Sequence, residues 1–331
     1  MNKNSQTIEE FVAKRNSEKF IFTAGPASLL PENITGLRAC FGRGDMDYLA
    51  IETKVIGALK KMSGHENVTR MQGSASLALE VMALNFLYGR VLVVQSGYYS
   101  QRLVSLASSA RRWLGQIIEI QTIQWDQINQ VQGKFDWVVA CYTETSRGLK
   151  IPILSLREIA ERHSAKLMID ATASIGLESR HEVADVIAYS SCKGLFGLTG
   201  AAFIANHEPP TVEVDSFNLS MSSHIEKMMT GPYHAIASLA NVLSNHEDIR
   251  EAVVENKKIF AKKMKQYLTT SEENQPLLCT HVSCKIAPMD ARAIMYVPRT
   301  NYGGSVVCHI GEVHLGRSAR GKIFDVLEIE K

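Results

Sequence analysis

Lys193 has the sequence context that most favours a reactive side chain, because it follows a short apolar run and precedes a glycine-rich turn. Residues 190–197 read Ser-Ser-Cys-Lys-Gly-Leu-Phe-Gly. A lysine at the end of a buried strand is partly desolvated, so its amine loses proton affinity and can attack a carbonyl group to form a Schiff base. Taken alone, the segment is more typical of a solvated lysine on a surface loop. The interpretation therefore depends on finding partners for Lys193 elsewhere.

A carboxylate stands in a comparable place, because Asp170 ends the apolar run of residues 166–170. An anionic aspartate beside a pyridinium nitrogen keeps that nitrogen protonated, and the ring can then accept electrons from a carbanion formed next to it. Asp170 could equally cap the helix that follows. Together, Lys193 and Asp170 suggest the catalytic pair of a pyridoxal-phosphate enzyme.

A phosphate group could be held where residues 71–76 (MQGSAS) lead into a helical pattern. Small residues leave the backbone N–H groups and hydroxyls of Ser74, Ala75 and Ser76 free at a helix N-terminus, which favours anions. Serine and glycine also begin many helices only as caps. Tyr99 follows a strand pattern, so its ring could stack on a flat cofactor ring, although tyrosines more often pack against a helix.

The sequence alternates strand and helix patterns, which is typical of an α/β fold with a mixed, mostly parallel sheet flanked by helices. Ligands of such sheets bind outside the carboxyl ends of the strands, where Lys193 and Asp170 fall. The predicted strands are residues 90–95, 135–142, 166–171, 186–190 and 201–205. The predicted helices are residues 76–88, 100–114 and 153–163.

The C-terminal part has a different pattern. A charged amphipathic stretch, residues 247–268, leads to residues 270–331, which predict two or three strands and a closing helix. We therefore divide the chain into an N-terminal segment (1–20), a large cofactor-binding domain (21–245) and a short C-terminal α+β domain (246–331).

Composition limits the possible partners. The 331 residues include 36 lysines and arginines against 34 acidic residues, and the net charge of +2 provides no general attraction for nucleic acid or an anionic membrane. The six cysteines are scattered without the spacing of zinc ligands, so we predict reduced thiols and no metal site. The N-terminus lacks the apolar core of a signal peptide, and no apolar run approaches the roughly 20 residues that span a bilayer. We therefore expect a cytoplasmic protein.

Taken together, the motifs resemble those of the class V aminotransferases in the fold type I pyridoxal-phosphate superfamily. The likeness is greatest to the 2-aminoethylphosphonate:pyruvate and alanine:glyoxylate branches, and it covers roughly residues 20–240. The motifs are residues 22–27 (FTAGPA), 45–48 (DMDY), 72–76 (QGSAS), 97–102 (GYYSQR) and 143–148 (TETSRG), followed by Asp170 and Lys193. Each motif is weak alone, but their common order and spacing are informative.

The resemblance implies an aminotransferase that uses pyridoxal 5′-phosphate, bound through a Lys193 Schiff base, to move an amino group between a small amine or amino acid and an oxo acid or aldehyde. It also implies a homodimer with shared active sites, in which Thr230 reaches a neighbour's cofactor phosphate. The implied cofactor-binding residues are Ser74, Ala75, Ser76, Tyr99, Thr145, Asp170, Lys193 and Thr230. Gly25 is implied to line the substrate pocket.

The chain departs from the family where the substrate carboxylate is usually gripped. Val306 and Val307 stand where an arginine is expected, and valine cannot replace a guanidinium fork. Arg43, Arg147 and Arg299 are candidate replacements, with Arg43 and Arg147 our predicted substrate contacts. For each of them, a solvated surface charge remains the commoner situation.

Two other functions remain open. A class V lyase or decarboxylase would use the same cofactor to break a different bond, and the desulfurases among them need a mobile cysteine, for which Cys308 is the only obvious candidate. A non-catalytic protein that retains the fold would explain the missing arginine. The retained Lys193, Asp170 and Tyr99 argue against such a decayed site.

Overall fold

Aliphatic and β-branched runs form the central strands, and amphipathic segments between them form the helices. The computed structural model describes residues 6–37, 40–316 and 319–330. The helices are α1 Ile8–Asn16, α2 Pro31–Thr35, α3 Met46–Ser63, α4 Ala75–Phe86, α5 Tyr98–Leu114, α6 Ile153–Arg162, α7 Met221–Ile225, α8 Tyr233–Val242 and α9 His246–Lys263. The strands are β1 Phe20–Phe22, β2 Asn67–Gln72, β3 Gly89–Gln95, β4 Ile117–Gln124, β5 Trp137–Cys141, β6 Thr143–Glu144, β7 Leu149–Lys150, β8 Lys166–Asp170, β9 Val186–Ser190, β10 Ala201–Asn206, β11 Cys279–Val282, β12 Ile286–Pro288, β13 Ala293–Met295, β14 Ser305–Cys308 and β15 Leu327–Ile329.

Seven strands form the central sheet, in the order β2-β10-β9-β8-β5-β3-β4. Strand β10 runs antiparallel to both of its neighbours, β9 and β2, whereas the pairs from β9 to β4 are parallel. The predicted α/β class, with a mixed and mostly parallel sheet, is therefore confirmed. All five predicted strands and all three predicted helices of this part are present.

The sheet is buried on both faces. In β3, Leu92 and Val94 pack into one apolar layer and Val91 and Val93 into the other, as the two-residue period of a strand requires. Helices α3, α6 and α8 cover the first face, while α4 and α5 cover the second. Each fully buried aliphatic side chain contributes about 1.5–3 kcal/mol, so the packed sheet is a stable platform for residues at its edge.

The helices that position the candidate site have clear sequence boundaries. Helix α5 buries Ser100, Leu103, Ala107 and Ala110, which recur at three- and four-residue intervals on one face. It ends at Gly115, whose φ of 69° gives the left-handed conformation that glycine adopts most easily. Helix α4 is apolar nearly all round and is correspondingly buried. Among the described residues, no helix is long and apolar enough to cross a membrane.

The C-terminal part differs from the prediction. Residues 279–329 contain five short strands instead of two or three, and the predicted closing helix is wrong. Beyond residue 310, the helical structure of the described residues is limited to short 3₁₀ turns such as Val313–Leu315 and Ile323–Val326. Gly311, Gly316 and Gly321 disfavour a helix ahead of residue 322. Beyond them, Leu327–Ile329 pairs antiparallel with β12 as strand β15, so this part of the chain is extended instead of helical.

The beginning of the chain pairs with this C-terminal part. Strand β1 runs parallel to β13, with Phe20 opposite Ala293 and Phe22 opposite Met295. Asn16, at the end of α1, offers its carbonyl to the Nε2 atom of His314 at 3.1 Å. The division into an N-terminal segment, a large domain and a small domain stays a prediction.

Candidate active site

Lys193 lies in the short connection between β9 and β10, at the carboxyl end of β9. The turn is held by backbone bonds from Phe196 N to Lys193 O, at 2.9 Å, and from Gly197 N to Ser191 O, at 2.8 Å. The Nζ atom of Lys193 is 5.7 Å from the centroid of the Tyr99 ring. The lysine and the predicted stacking aromatic, nearly one hundred residues apart in sequence, are therefore neighbours in space.

Asp170 ends β8, and its side chain is only 2% exposed. Its Oδ1 atom accepts the backbone N–H of Thr172 at 2.9 Å, and its Oδ2 atom accepts from Nη2 of Arg102 at 3.2 Å. Arg102 also donates from Nη1 to Ser76 Oγ at 3.1 Å, and its guanidinium carbon is 5.2 Å from the Tyr99 ring centroid. Asp170 is thus a buried carboxylate with a guanidinium partner.

Sequence reasoning did not assign a role to Arg102. The signal was available, because residues three apart on a helix share a face and Tyr99 and Arg102 both lie in the first turns of α5. If the tyrosine faces a ligand, an arginine three residues later must lie beside that ligand. Arg102 connects three predicted site residues: Ser76, Tyr99 and Asp170.

The predicted phosphate site lies at the beginning of a helix, as expected. Ser74 is the N-cap of α4, but its side chain makes no capping hydrogen bond. The first N–H groups of an α-helix have no partner within the helix, so those of this first turn can receive an anion. Gly73 N donates to Gly200 O at 3.0 Å, which holds the turn against the beginning of β10.

Glu144 anchors the aromatic wall. The carboxylate is fully buried, and its Oε2 atom accepts the backbone N–H groups of Tyr99 and Ser100, both at 3.0 Å. Its Oε1 atom accepts the hydroxyl of Ser146 at 2.5 Å and the N–H of Ser146 at 3.3 Å. Burial raises the pKa of Glu144, and these donors partly oppose the shift. A Cβ on Gly97 would come within 2.7 Å of the Glu144 carboxyl carbon, so glycine permits the close approach.

Lys193, Asp170, Tyr99 and the first turn of α4 line one cavity of about 410 Å³. Seven of the predicted site residues contribute to its wall: Ser74, Ala75, Ser76, Tyr99, Thr145, Asp170 and Lys193. Residues that the sequence analysis had not assigned there include Arg102, Cys141, Thr143, Thr172 and Thr199. The hydroxyls of Thr143, Thr145 and Thr172 are buried and have no hydrogen-bond partner among the described residues. The wall therefore offers polar atoms that a bound ligand could satisfy.

The other predicted site residues lie outside the wall of that cavity. Gly25 lies against Lys193, because an added Cβ would be 3.0 Å from the lysine Cγ. Thr230 borders a separate cavity together with Arg70. Arg43 is exposed ahead of α3 and borders neither cavity, so its role as a substrate contact stays a prediction. Arg147 is half-buried, with its guanidinium carbon 5.1 Å from the Tyr302 ring centroid.

An ion-pair cluster lies near Thr230. Glu52, which is buried on α3, accepts from Nε of Arg70 and from Nζ of Lys227, both at 2.6 Å. Burial alone would raise the pKa of Glu52, but hydrogen bonds from Lys227 and Arg70 lower it below its ordinary value. A Cβ on Gly231 would be 2.6 Å from the guanidinium carbon of Arg70, so the segment after Thr230 packs directly on this arginine.

A segment of the C-terminal part reaches the aromatic wall. The hydroxyl of Tyr296 is buried without a hydrogen-bond partner among the described residues, and burial together with the nearby Tyr99 raises its pKa. The guanidinium carbon of Arg299 is 5.5 Å from the ring centroid of Tyr98. Val306, where an arginine was expected, is buried in an apolar cluster. The structure therefore places no cation at that position.

Known proteins share both the sequence pattern and the fold. A 2-aminoethylphosphonate–pyruvate transaminase from Pseudomonas aeruginosa is 24% identical over 253 residues, which cover 69% of this chain and 68% of that protein. An aspartate aminotransferase of subgroup IV from Thermus thermophilus superposes with a TM-score of 0.77 at 16% identity, over 92% of this chain and 99% of that chain. An alanine–glyoxylate aminotransferase from Nostoc sp. gives a TM-score of 0.75 at 16% identity, over 92% and 95% of the two chains.

No model of a protein family matches the chain. The superpositions nevertheless confirm the fold type I architecture predicted from the motifs. The predicted resemblance to the aminoethylphosphonate and alanine:glyoxylate branches is also confirmed.

Proposed function

We propose that the chain is a pyridoxal-phosphate-dependent aminotransferase that moves an amino group between a small-molecule donor and an oxo acceptor. The observation that carries the proposal is one cavity where a half-buried lysine, a buried aspartate, a tyrosine ring and an open helix N-terminus meet. These groups come from separate elements at the carboxyl edge of the sheet. Ligands of open α/β sheets bind at this edge.

The residues present fit the cofactor. The cavity, at about 410 Å³, lies within the range of about 300–1,000 Å³ that small-ligand sites occupy. Its polar atoms match the two polar ends of the cofactor. The N–H groups at the beginning of α4 would bind the phosphate, and the Asp170 carboxylate would bind the ring nitrogen. Thr145 and Thr172 add buried hydroxyls that lack partners among the described residues. Each of these groups would be costly to leave unsatisfied, and the cofactor would supply their partners.

When bound, pyridoxal phosphate supplies an aldehyde that exchanges amines and a ring that accepts electrons. Lys193 would hold this group covalently through its Nζ atom, and the same amine, when free, would act as the base and acid that moves a proton at the substrate carbon. The Asp170 carboxylate would pair with a protonated ring nitrogen. The Tyr99 ring, which also lines the cavity, would pack against the bound ring.

We also infer a cytoplasmic homodimer with shared active sites. Thr230 lies apart from the cavity of its own chain, which suits a residue that serves a neighbour's cofactor phosphate. Large apolar side chains are exposed in the same region, including Phe217, Ile225 and Met228. Burying them against a second copy would remove this apolar surface from water.

The lyase alternative has weaker support. Its desulfurase form needs a cysteine on a mobile loop, and Cys308 is instead fully buried in β14, opposite Cys279 of β11. Burial also raises the pKa of the Cys308 thiol, which disfavours the nucleophilic thiolate.

An absorbance titration with pyridoxal phosphate tests the proposal. The wild-type chain and a Lys134→Ala control, altered at an exposed lysine, should develop the visible band of a lysine-bound cofactor, whereas Lys193→Ala should not. Borohydride reduction followed by peptide mapping should place the cofactor on Lys193. One donor from a panel of alanine, glutamate, 2-aminoethylphosphonate and amino sugars should then bleach the band.

The outcomes separate the three functions. Bleaching with formation of the pyridoxamine form establishes transamination. Release of a different product with the band retained would favour a lyase or decarboxylase. No band at any cofactor concentration would support a non-catalytic protein that retains the fold.

A further inference from the structure

We propose that Arg299 and Arg147 form an anion-binding site at the mouth of the Lys193 cavity, which holds a carboxylate or phosphonate remote from the substrate's reacting carbon. This inference rests on the proposed function and specifies its substrate class. The segment that carries Arg299, residues 296–304, is called the 296–304 loop below. It joins β13 to β14.

The usual place for such a cation is apolar in this chain. Val306 lies in β14, is 3% exposed, and packs in a cluster with Ala24, Leu30 and Cys308. A carboxylate placed against this cluster would lose its hydration without gaining a partner, which costs several kcal/mol. An anionic substrate must therefore direct its charge elsewhere.

Several other cations, at this cavity and on the surrounding elements, already have carboxylate partners. Arg102 pairs with Asp170, and Lys150 pairs with Glu178 at 3.1 Å. Arg70 and Lys227 both pair with Glu52. Among the described residues, neither Arg147 nor Arg299 forms an ion pair with a carboxylate. They are the guanidinium groups left available on the aromatic side of the site.

Each arginine lies over a tyrosine, and in both pairs one partner belongs to the 296–304 loop. Arg299 of the loop lies over Tyr98 of α5, at 5.5 Å, whereas Arg147 lies over Tyr302 of the loop, at 5.1 Å. Stacking uses the flat face of a guanidinium and leaves its in-plane N–H groups free. Those N–H groups match two oxygens of a carboxylate or phosphonate. The aromatic contacts thus orient each fork. The hydroxyls of Tyr98 and Tyr99 also approach the guanidinium of Arg299 and raise its pKa, so an anion would share that fork with them.

The positions of both arginines are constrained relative to the reacting amine. Tyr98 and Tyr99 both raise the pKa of Arg299, and Tyr99 is the ring that lies 5.7 Å from Lys193 Nζ. Arg147 follows Thr145, which lines the cavity, and precedes Gly148. Gly148 has a φ of +56°, and a Cβ there would be 2.8 Å from the backbone nitrogen of His281. The turn that carries Arg147 is therefore tightly fixed.

An independent sign of a ligand comes from buried hydroxyls in the same wall. Tyr296 and Thr145 each bury a hydroxyl that makes no well-formed hydrogen bond among the described residues. The two hydroxyls approach each other, and that of Tyr296 also approaches Tyr99. Such unsatisfied groups are rare in folded proteins and are usually explained by a bound ligand or water. A polar substrate that extends from Lys193 along Tyr99 toward Arg299 would satisfy them.

The expected substrates have an anion at one end and the reacting amine or aldehyde at the other. An α-amino acid carries its carboxylate on the reacting carbon, close to Lys193 and away from the arginines. An aminoalkyl phosphonate or an ω-amino carboxylate separates the two groups by one or more carbons. We therefore expect such remote-anion substrates to bind more tightly than alanine.

Steady-state kinetics of the cofactor-loaded protein tests the site. Arg299→Gln and Arg147→Gln should each raise KM for 2-aminoethylphosphonate or β-alanine about tenfold or more, equivalent to the roughly 1.4 kcal/mol or more of a lost charge-assisted contact, with little change in kcat. Arg299→Lys should restore part of the affinity. The KM for propylamine, which lacks an anion, should not change in any variant. Arg111→Gln, at an exposed position on the same helix as Tyr98, is the matched control.

Direct binding of ethylphosphonate, which has no amine, provides a readout without turnover. Calorimetry should show binding to the wild type that weakens about tenfold or more in Arg299→Gln. Equal KM values in wild type and variants, equal losses for propylamine and 2-aminoethylphosphonate, or no ethylphosphonate binding to the wild type would each overturn the inference. Failure of the proposed function looks different, because it removes the visible band and all turnover from the wild type.

Discussion

Replacing Glu144 with glutamine should loosen the aromatic wall without changing its shape. In the wild type, Glu144 accepts the backbone N–H groups of Tyr99 and Ser100 at one oxygen, and both the N–H and the hydroxyl of Ser146 at the other. Glutamine has only one acceptor oxygen, so turning it toward the helix leaves its NH₂ group facing Ser146, whose hydroxyl can rotate to accept from it but whose N–H cannot. One buried N–H loses its acceptor, at about 1–3 kcal/mol, and two charge-assisted bonds become neutral, at about 0.5–1 kcal/mol each.

The expected total loss for Glu144→Gln is about 3 kcal/mol. An unfolding entropy of about 2.1 cal/mol/K per residue gives about 0.7 kcal/mol/K for 331 residues, so the melting temperature should fall by about 4 °C. Scanning calorimetry of the cofactor-free protein at fixed concentration measures this shift. Cofactor affinity, from the absorbance titration, should weaken about tenfold, because Tyr99 loses the anchor of its helix turn.

Glu119→Gln is the matched control, because that glutamate makes only an exposed pair with Arg90 at 3.8 Å. Its melting temperature should stay within about 1 °C of the wild type. If Glu144→Gln matched this control in both stability and cofactor affinity, Glu144 would not anchor the helix. A stability loss with unchanged cofactor affinity would show that Glu144 stabilises the fold but does not position Tyr99 for the cofactor.

Two further predictions concern buried carboxylates. Asp170→Asn keeps the shape of the side chain but removes the carboxylate that pairs with Arg102. The cofactor nitrogen would then lie beside an uncompensated guanidinium, so we expect at least tenfold weaker cofactor binding by titration and a lower kcat. Unchanged values for both would contradict the role assigned to Asp170. Glu52→Gln should lower the free energy of unfolding, measured in urea, by about 3 kcal/mol or more, because it leaves the buried Arg70 unpaired. Lys227→Gln should lower it by less than about 1 kcal/mol, because Lys227 is half-exposed. Equal losses in the two variants would refute this distinction. Because the folded-state pKa of Glu52 is lowered, its stabilising contribution is present above the ordinary glutamate pKa and is lost as pH falls through the lowered value; Glu52→Gln should lack this component of the acid transition.

The central strands were predictable because both of their faces are buried. Val186–Ser190 was located to the residue, and the other four predicted strands were correct to within two residues at either end. Two strands of the sheet were missed. Ile117–Gln124 lies at the sheet edge and is largely solvent-exposed, and Asn67–Gln72 contains polar residues, including an arginine whose burial depends on Glu52. Such a long-range ion pair leaves no local pattern.

The candidate site was partly predictable for a similar reason. Lys193 and Asp170 end apolar runs, so the topology of a parallel sheet brings them to one edge. Arg102, Thr172 and the 296–304 loop depend on how separate elements pack, which no local pattern specifies. The predicted closing helix is wrong because Leu327–Ile329 pairs with β12, and no local pattern specifies such a contact between separate segments.

The pairing of β1 with β13 imposes an order on folding. The paired residues are about 270 positions apart, so this contact must wait until residues 293–295 have been synthesised. Strand β1, which leads to Gly25, precedes every strand of the central sheet in the sequence, yet its partner β13 follows all of them. A nascent chain can therefore assemble the central sheet around Lys193 well before the segment beside that lysine is secured. During that interval, apolar side chains of β1, such as Phe22, are exposed to chaperones and to other nascent chains.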